Sequence, residues 1–382
     1  MQPVKGTLAE FFAGGGLVRA AMASDWRVAF ANDIDPKKCR TYRQNWGDAE
    51  LVEGDVGLLD PSHLNQPIDL FWASSPCQDF SLAGHRKGLS GHRSGTFLPW
   101  IKLVGLAIAS GFAPKIIAFE NVTGLISSQQ GNDFKAVLTA FSDLGYRFGA
   151  LEIDAKLFVP QSRPRLFVIA VRADINLDES FLGYNPTSSF HSKGLARFVD
   201  GMPATLRQNW LWLNLPEPEP RSVSLASCIE QDFSGPWFSN DKTDQLLSLM
   251  SPLNREKVKA AQRLRQPVIG TIYKRGRPDA AGATRQRAEV RFDGIAGCLR
   301  TPAGGSSRQT LVFVDGNDIR MRLLSAREAS LLMGIPKSYL LPASYNEAYK
   351  ISGDGVVVPV VAHLKQHLFD RIVVLETKKM AA

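Results

Sequence analysis

The strand-like run DLFWASSPCQDFSLAG at 69–84 carries Cys77 at a point where a thiolate could attack a substrate rather than fill a core. Pro76 holds the chain extended there, and in an α/β sheet ligands bind at the carboxyl edge of the strands. A lone cysteine is more often an inert core residue, but here polar and glycine residues follow it instead of an apolar face. The next stretch, GHRKGLSGHRSGT at 84–96, is long, basic and glycine-rich, the composition of a lid that closes on an anionic substrate. A later apolar run ends in FENV at 119–122, which sets Glu120 at the same edge, where burial would raise its pKa and suit it to proton donation. PQSRPRLFVIAV at 160–171 places Arg163 and Arg165 on one face before another apolar strand. Such arginines could stabilise a thiolate and hydrogen-bond a carbonyl-bearing ring, or stand as solvated rim charges.

An alternating α/β framework would have to hold these groups, and the first part of the chain reads as one. Candidate strands cover 7–12, 27–32, 69–73, 115–119, 148–153 and 165–171, and apolar residues recur at helical spacing in 17–23, 96–110 and 132–144. FFAGGGL at 11–17 lies between the first strand and the first helix, so its glycines permit close backbone approach and a helix start with free N–H groups. Asp33 follows the next apolar run, and Asp55 lies in GDV at the end of a third strand. In a doubly wound sheet both open on one crevice, where the first could accept from ribose hydroxyls and the second from an adenine amino group. Each could also be a helix cap or a loop acid.

Beyond about residue 175 the texture changes. The stretch 185–305 is rich in Pro, Gly, Ser and Arg, with LPEPEPR at 215–221 as a stiff linker or loop. A helix is credible over 251–265, and short strands around 268–273 and 290–292. SAREASLLM at 325–333 has a helix-start signature, with Ser325 as N-cap and Glu328 three residues on. The run 355–368 is apolar enough to return to the core. The expected architecture is a doubly wound α/β domain over 1–180, a smaller irregular domain with a connecting helix over 181–340, and a C-terminal segment, 341–382, returning to the first domain.

The 382 residues are 44% apolar, enough for a sizeable core, and carry a formal charge of +8. Between Arg255 and Arg300 twelve Lys or Arg face four Asp or Glu, an excess equal to that of the whole chain. Such a run is a solvated face or the footprint of an acidic partner. The four cysteines (Cys39, Cys77, Cys228, Cys298) form no CxxC pair, so neither a zinc cage nor a disulfide framework is suggested and a reducing, cytoplasmic compartment fits. No stretch reaches the ~18 apolar residues of a membrane span, and the start lacks the apolar core of a signal peptide.

Taken in order, FAGGG, the acid in NDID, GDV, SPCQDFS, ENV, QSRPR, RLLSAREASLLMG and GDGVVVPV make the sequence resemble the DNA (cytosine-5) methyltransferases of bacterial or phage type along nearly all of its length. The stretch 175–300 lies outside the match, because in that family it reads the target sequence. The resemblance implies a Rossmann-like methyltransferase sheet with a target-recognition domain. Cys77 would be the nucleophile that adds to carbon 6 of cytosine, Glu120 would engage ring nitrogen 3 and the amino group, Arg165 would contact the ring carbonyl, and Arg163 would steady the Cys77 region. The implied methyl donor is S-adenosyl-L-methionine, held by Phe12, Ala13, Gly14, Gly16, Asp33, Ile34, Asp55, Val56 and Pro76, with Asp354 and Gly355 from the last motif. No metal is implied. The partner would be duplex DNA, contacted by Gln78, Ser81, Arg86, Lys87 and Arg93 in the basic loop and by Lys274, Arg275, Arg277, Arg285 and Arg287 beyond it. Flipping the target base out costs a few kcal/mol, which that loop and the basic domain would offset. Such enzymes act as monomers on DNA, at the nucleoid in the bacterial cytoplasm, some beside a cognate restriction endonuclease.

Three positions depart from the family pattern. Ile34 stands where a tryptophan is common, Asp33 where Glu is more usual, and Gly353-Asp354 where Gly-Asn is frequent. A transfer RNA cytosine-5 methyltransferase and a catalytically silent DNA-binding relative are the competing readings. The large basic region favours DNA over the first, and intact Cys77, Glu120 and Arg165 disfavour the second. An amino-methylating enzyme is disfavoured because PCQ stands where those carry PPY or PPW.

Overall fold

The computed structural model describes residues 4–75, 96–186, 189–278, 283–301 and 308–381 and divides into two compact units. The first comprises 1–154, 164–218 and 358–382, and the second 155–163 and 219–357.

The first unit is built on β1 (Gly6–Phe11), β2 (Trp26–Asp33), β3 (Leu51–Glu53), β4 (Leu70–Ser74), β5 (Ile116–Asn121), β6 (Tyr146–Asp154) and β7 (Pro164–Arg172). They are ordered β3-β2-β1-β4-β5-β7-β6. β1 to β5 pair in parallel, while β7 runs antiparallel to both β5 and β6. The chain steps outward from β1 to β2 and β3 and then returns across β1 to β4. Strand order therefore reverses between β1 and β4, and such a reversal opens a crevice at their carboxyl ends. LFWAS in β4 and IIAFEN in β5 lack polar alternation because both faces of a parallel sheet are covered. On one face Trp100 of the helix Phe97–Ala109 stacks on Phe119 with ring centroids 5.9 Å apart, and Phe11 and Phe141 meet it edge-on. Burying each such ring contributes about 1.5–3 kcal/mol.

On the other face Trp72 packs against Phe167 and Phe369. Residues 358–382 belong to this unit. Its helix Val358–Leu364 packs on the helix Leu17–Met22, and in the π-helical turn that follows Lys365 Nζ reaches Asp25 at 2.8 Å and Asp370 at 3.2 Å. Trp26 Nε1 donates to Asp370 at 2.7 Å, so one carboxylate ties the C-terminal segment to the start of β2. The unit also runs past the boundary expected near 180. The edge of β6 needs partners: Phe148 N–H donates to Asn209 O (2.8 Å), Leu211 N–H donates to Phe148 O (2.7 Å), and β8 (Leu182–Gly183) pairs with β9 (Trp212–Leu213).

Glu10 lies inside β1, 1% exposed, just before the glycine turn. Burial pushes its carboxyl up to about 8, against the downward pull of the Val18 and Arg19 backbone N–H groups and the Arg19 charge. The folded state thus holds this proton to higher pH than the unfolded chain, where an ordinary glutamate titrates near 4.5. Its contribution to stability is full below the unfolded value and is lost as pH rises through the folded one. The melting temperature is expected to fall between pH 5 and pH 8.5, and Glu10→Gln to flatten that fall. An identical pH profile in the variant would contradict the assignment.

The second unit is more regular than an irregular domain. β10 (Val268–Pro278), β11 (Thr284–Arg291), β12 (Thr310–Asp315) and β13 (Asp318–Leu323) form an antiparallel sheet ordered β11-β10-β12-β13. Leu246, Val258, Ile272, Val290, Val312 and Met321 make its core. β10 and β11 extend well beyond the expected 268–273 and 290–292, because half of TRQRAEVR is exposed and leaves no apolar alternation to read.

Ser325 and Glu328 form the expected capping box, with Glu328 N–H on Ser325 Oγ (3.0 Å) and Ser325 N–H on Glu328 Oε2 (2.7 Å). Glu328 also holds Arg322 at 2.6 and 2.8 Å, the two side chains 0% and 1% exposed. Removing one member strands a buried charge at a cost of about 3–5 kcal/mol, whereas replacing both with apolar residues costs less. Urea titration of Glu328→Gln and of the pair Arg322→Met with Glu328→Leu is expected to show that order. A single variant within about 1 kcal/mol of wild type would refute it.

Candidate active site

The glycine turn is built as its sequence requires. Gly14 (φ 59°) and Gly16 (φ 76°) adopt left-handed backbone, and a Cβ on Gly16 would come within 2.4 Å of Trp46 Nε1. Trp46 Nε1 donates to Gly15 O at 3.0 Å, which pins the turn from the helix Pro36–Trp46. Over Gly14 the space is open: an added Cβ would meet only Lys38 Cδ, at 3.9 Å. Asp33 ends β2, is 6% exposed, and accepts from Gly14 N–H and Asp35 N–H, both at 2.8 Å. It braces the turn and offers a ligand only its remaining lone pairs. Ile34 beside it is 63% exposed, an apolar plate at the crevice rim. Asn32, which the sequence reading passed over, spans to Val52 O (2.9 Å) and Gly54 O (3.0 Å) and fixes the ends of β2 and β3 together. Asp55 caps the short turn after β3 through Gly57 N–H at 2.8 Å, so the capping alternative holds for one of its oxygens, and Val56 is buried behind it. Phe12 (φ 57°) and buried Ala13 lead into the turn.

At the neighbouring strand ends the β4–β5 register sets Ser74 beside Glu120. Glu120 is 7% exposed, and Arg165 Nε of β7 lies 3.1 Å from its Oε1. Glu120 and Arg165 thus form a pair at the sheet edge. Asn121 is buried behind Glu120; its Oδ1 accepts from Val122 N–H at 2.9 Å. Pro76, Cys77, Gln78, Ser81, Arg86, Lys87 and Arg93 lie outside the described residues. Those that bracket them, Ser75 and Thr96, have hydroxyls 3.3 Å apart.

Arg163 is assigned to the second unit, where it is 2% exposed. Its guanidinium donates to Leu299 O (2.8 Å), Gly353 O (3.0 Å) and Gly355 O (2.9 Å), with Cys298 Sγ at 3.4 Å. It ties the segments at 298–299 and 353–355 to its own. Gln161 does likewise, taking Leu299 N–H (3.0 Å) and giving to Leu332 O (2.9 Å), so the motif QSR is a set of internal braces that its spacing alone did not reveal. Asp354 accepts from the Thr301 hydroxyl, and Gly353 admits no Cβ because Thr301 N lies 2.7 Å from where one would stand. The register of β10 and β11 opposes Arg275 to Arg287 and Arg277 to Arg285, placing four of the five basic residues expected there on one face and Lys274 on the other.

The sequence profile of C-5 cytosine-specific DNA methylase matches residues 6–370. The orphan methyltransferase M.SPRI of Bacillus phage SPR is 32% identical over 246 residues, 63% of this chain and 54% of that protein. The type II methyltransferase M.HhaI of Haemophilus parahaemolyticus is 25% identical over 365 residues, 94% and 93% of the two chains. The chain thus spans about half the length of some of the curated relatives it matches. Among solved structures, S. pombe Dnmt2 methyltransferase superposes with a TM-score of 0.62 at 17% identity, covering 96% of this chain and 99% of that one. Entamoeba histolytica methyltransferase EhMeth gives 0.61 at 14%, covering 97% and 99%. The glycine turn, the Glu120–Arg165 pair and the reversal of strand order thus sit in a chain that belongs to the C-5 cytosine-specific DNA methylase family.

Proposed function

We propose that the chain transfers a methyl group from S-adenosyl-L-methionine to carbon 5 of a flipped-out cytosine in duplex DNA. The observation that carries this reading is the pair of Glu120, on β5 beside the strand that precedes Cys77 in the chain, with Arg165 of β7. The donor fits the residues of the crevice: open space over left-handed Gly14, a carboxylate at Asp33 with lone pairs to spare, and the exposed face of Ile34 for a purine. When bound there it supplies an electrophilic methyl group.

Carbon 5 of cytosine is a weak nucleophile. Cys77 as thiolate adds to carbon 6, and the electron pair displaced from the carbon 5–carbon 6 bond makes the ring an enamine able to accept the methyl group. Glu120 holds ring nitrogen 3 and the amino group and stabilises the proton there as sulfur adds, while Arg165 donates to the ring carbonyl. After transfer, loss of the carbon 5 proton expels the Cys77 sulfur and restores the ring. In this reading the second unit is the target-recognition domain, Arg163 acts from within it as a structural latch, and the basic residues of 78–93 contact DNA. The enzyme works as a monomer on DNA. Among the described residues no helix is long and apolar enough to cross a membrane. Incubation with labelled donor and either duplex DNA or transfer RNA tests the reading. Label on duplex cytosine is expected; label confined to transfer RNA, or none, would overturn it.

A further inference from the structure

The hairpin of β10 and β11 projects beyond its own sheet. β12 pairs with β10 only over Val268–Ile272, whereas β11 follows β10 out to Pro278. From Lys274 to Pro278 the element is thus a two-stranded antiparallel ribbon, a shape that fits the major groove of B-form DNA. One face carries Arg275, Arg277, Arg285 and Arg287 with the single acid Glu289, and the other carries Lys274, Gly276, Thr284 and Gln286.

Arg277 differs from a charge waving in solvent. Its Nε and Nη2 both donate to Glu289 Oε1, at 2.9 and 2.7 Å, so one edge of the guanidinium is clamped. Three of its five N–H donors, at the opposite end of the fork, remain beyond this clamp. Glu289 is itself held. The Tyr273 hydroxyl bonds to it, and although burial works in the other direction, Tyr273 and the arginines keep its carboxyl below the usual glutamate range. Arg275 lies over the Tyr273 ring, 4.6 Å from its centroid, on the same face. The Arg277 and Glu289 side chains are 52% and 21% exposed, and a pair that open stabilises a fold by little. Its geometry instead matches a demand of base reading: an arginine fork oriented in advance, so that two N–H groups meet guanine O6 and N7 together.

We propose that Arg277, oriented by Glu289, reads a guanine in the major groove, so that the sequence methylated by this chain contains a guanine whose recognition depends on that pair. Glu289 is a positioning residue. Arg275, Arg285 and Arg287 follow the groove on the same face, and Lys274 on the reverse contributes charge without base reading. The inference rests on the DNA-methylation reading above and adds to it the identity of a base.

The test is competitive. A pool of duplexes with randomised sequence around a cytosine is bound by, and separately methylated by, the full chain, and both the bound and the converted molecules are sequenced. Wild type is expected to select a fixed guanine. Arg277→Lys keeps the charge but loses the fork, and is expected to relax selection at that guanine by between about 5-fold and 150-fold, with the salt dependence of binding unchanged. Glu289→Gln is expected to relax the same position, whereas Lys274→Ala weakens binding to all sequences alike and leaves the selected context intact. Melting curves establish that each variant is folded, and a variant that is not is replaced by Arg277→Gln. A wild-type context without a fixed guanine, or contexts identical in wild type, Arg277→Lys and Glu289→Gln, would overturn this inference alone. A wild-type chain that neither binds nor methylates any duplex would overturn the methylation reading and the inference with it.

Discussion

Cys77→Ala is expected to abolish methyl transfer, by at least about 10⁴-fold, while the protein still binds duplex DNA and melts within a few degrees of wild type. The size of the effect follows from the chemistry: without sulfur at carbon 6 there is no enamine, and carbon 5 cannot attack. The other described cysteines cannot substitute. Burial, aided by the Asp33 charge, pushes the Cys39 thiol up to about 12, and burial also raises Cys228. Cys298 is engaged with Arg163 in the second unit. A thiol-reactive probe should therefore lose its fast-reacting site in Cys77→Ala and in no other cysteine variant. Full activity in Cys77→Ala would remove the basis of the mechanism.

The second large effect concerns Glu120. Glu120→Gln keeps the size of the side chain and part of its hydrogen bonding but removes the charge 3.1 Å from Arg165, and it is expected to lower kcat/KM by about 10²–10⁴-fold. The two residues act on one ring and on each other, so Arg165→Ala combined with Glu120→Gln is expected to lose far less than the product of the single losses. Covalent capture of a 5-fluorocytosine duplex separates a catalytic from a structural role. A variant slow in addition captures the duplex slowly but to completion, whereas a variant that has lost its fold captures none. Strict multiplicativity of the two losses would mean that the pair seen at the sheet edge does not act as a unit in the reaction.

The carboxyl edge of the sheet was legible because it is short-range information. A strand followed by a turn or a polar residue is a local pattern, and β1, β4 and β5 lie within one or two residues of the expected 7–12, 69–73 and 115–119. What was not legible is what reaches across the chain. Arg163 reads as a rim or thiolate-stabilising arginine from its place two residues before Arg165, yet its partners Leu299, Gly353 and Gly355 are more than a hundred residues away. Asp33 reads as an open acid until the Gly14 N–H that it accepts is known. The second unit reads as irregular because its strands carry little apolar alternation; the ribbon of β10 and β11 alternates arginine with small or polar residues instead. RGRP and TRQR carry a strand alternation in charge rather than hydrophobicity. Glu10 left a signal as well, a single acid inside the apolar run TLAEFF, which a strand period alone could not distinguish from an exposed position.

Addition of a methyl group to carbon 5 of cytosine in duplex DNA leaves a mark that can be read base by base. Bisulfite sequencing of unmethylated duplex DNA, incubated with the purified chain and S-adenosyl-L-methionine, tests it most directly. Cytosines protected from conversion at one short recurring sequence are expected, with no protection when the donor is omitted. Complete conversion at every cytosine, with the protein folded and bound to the DNA, would contradict it.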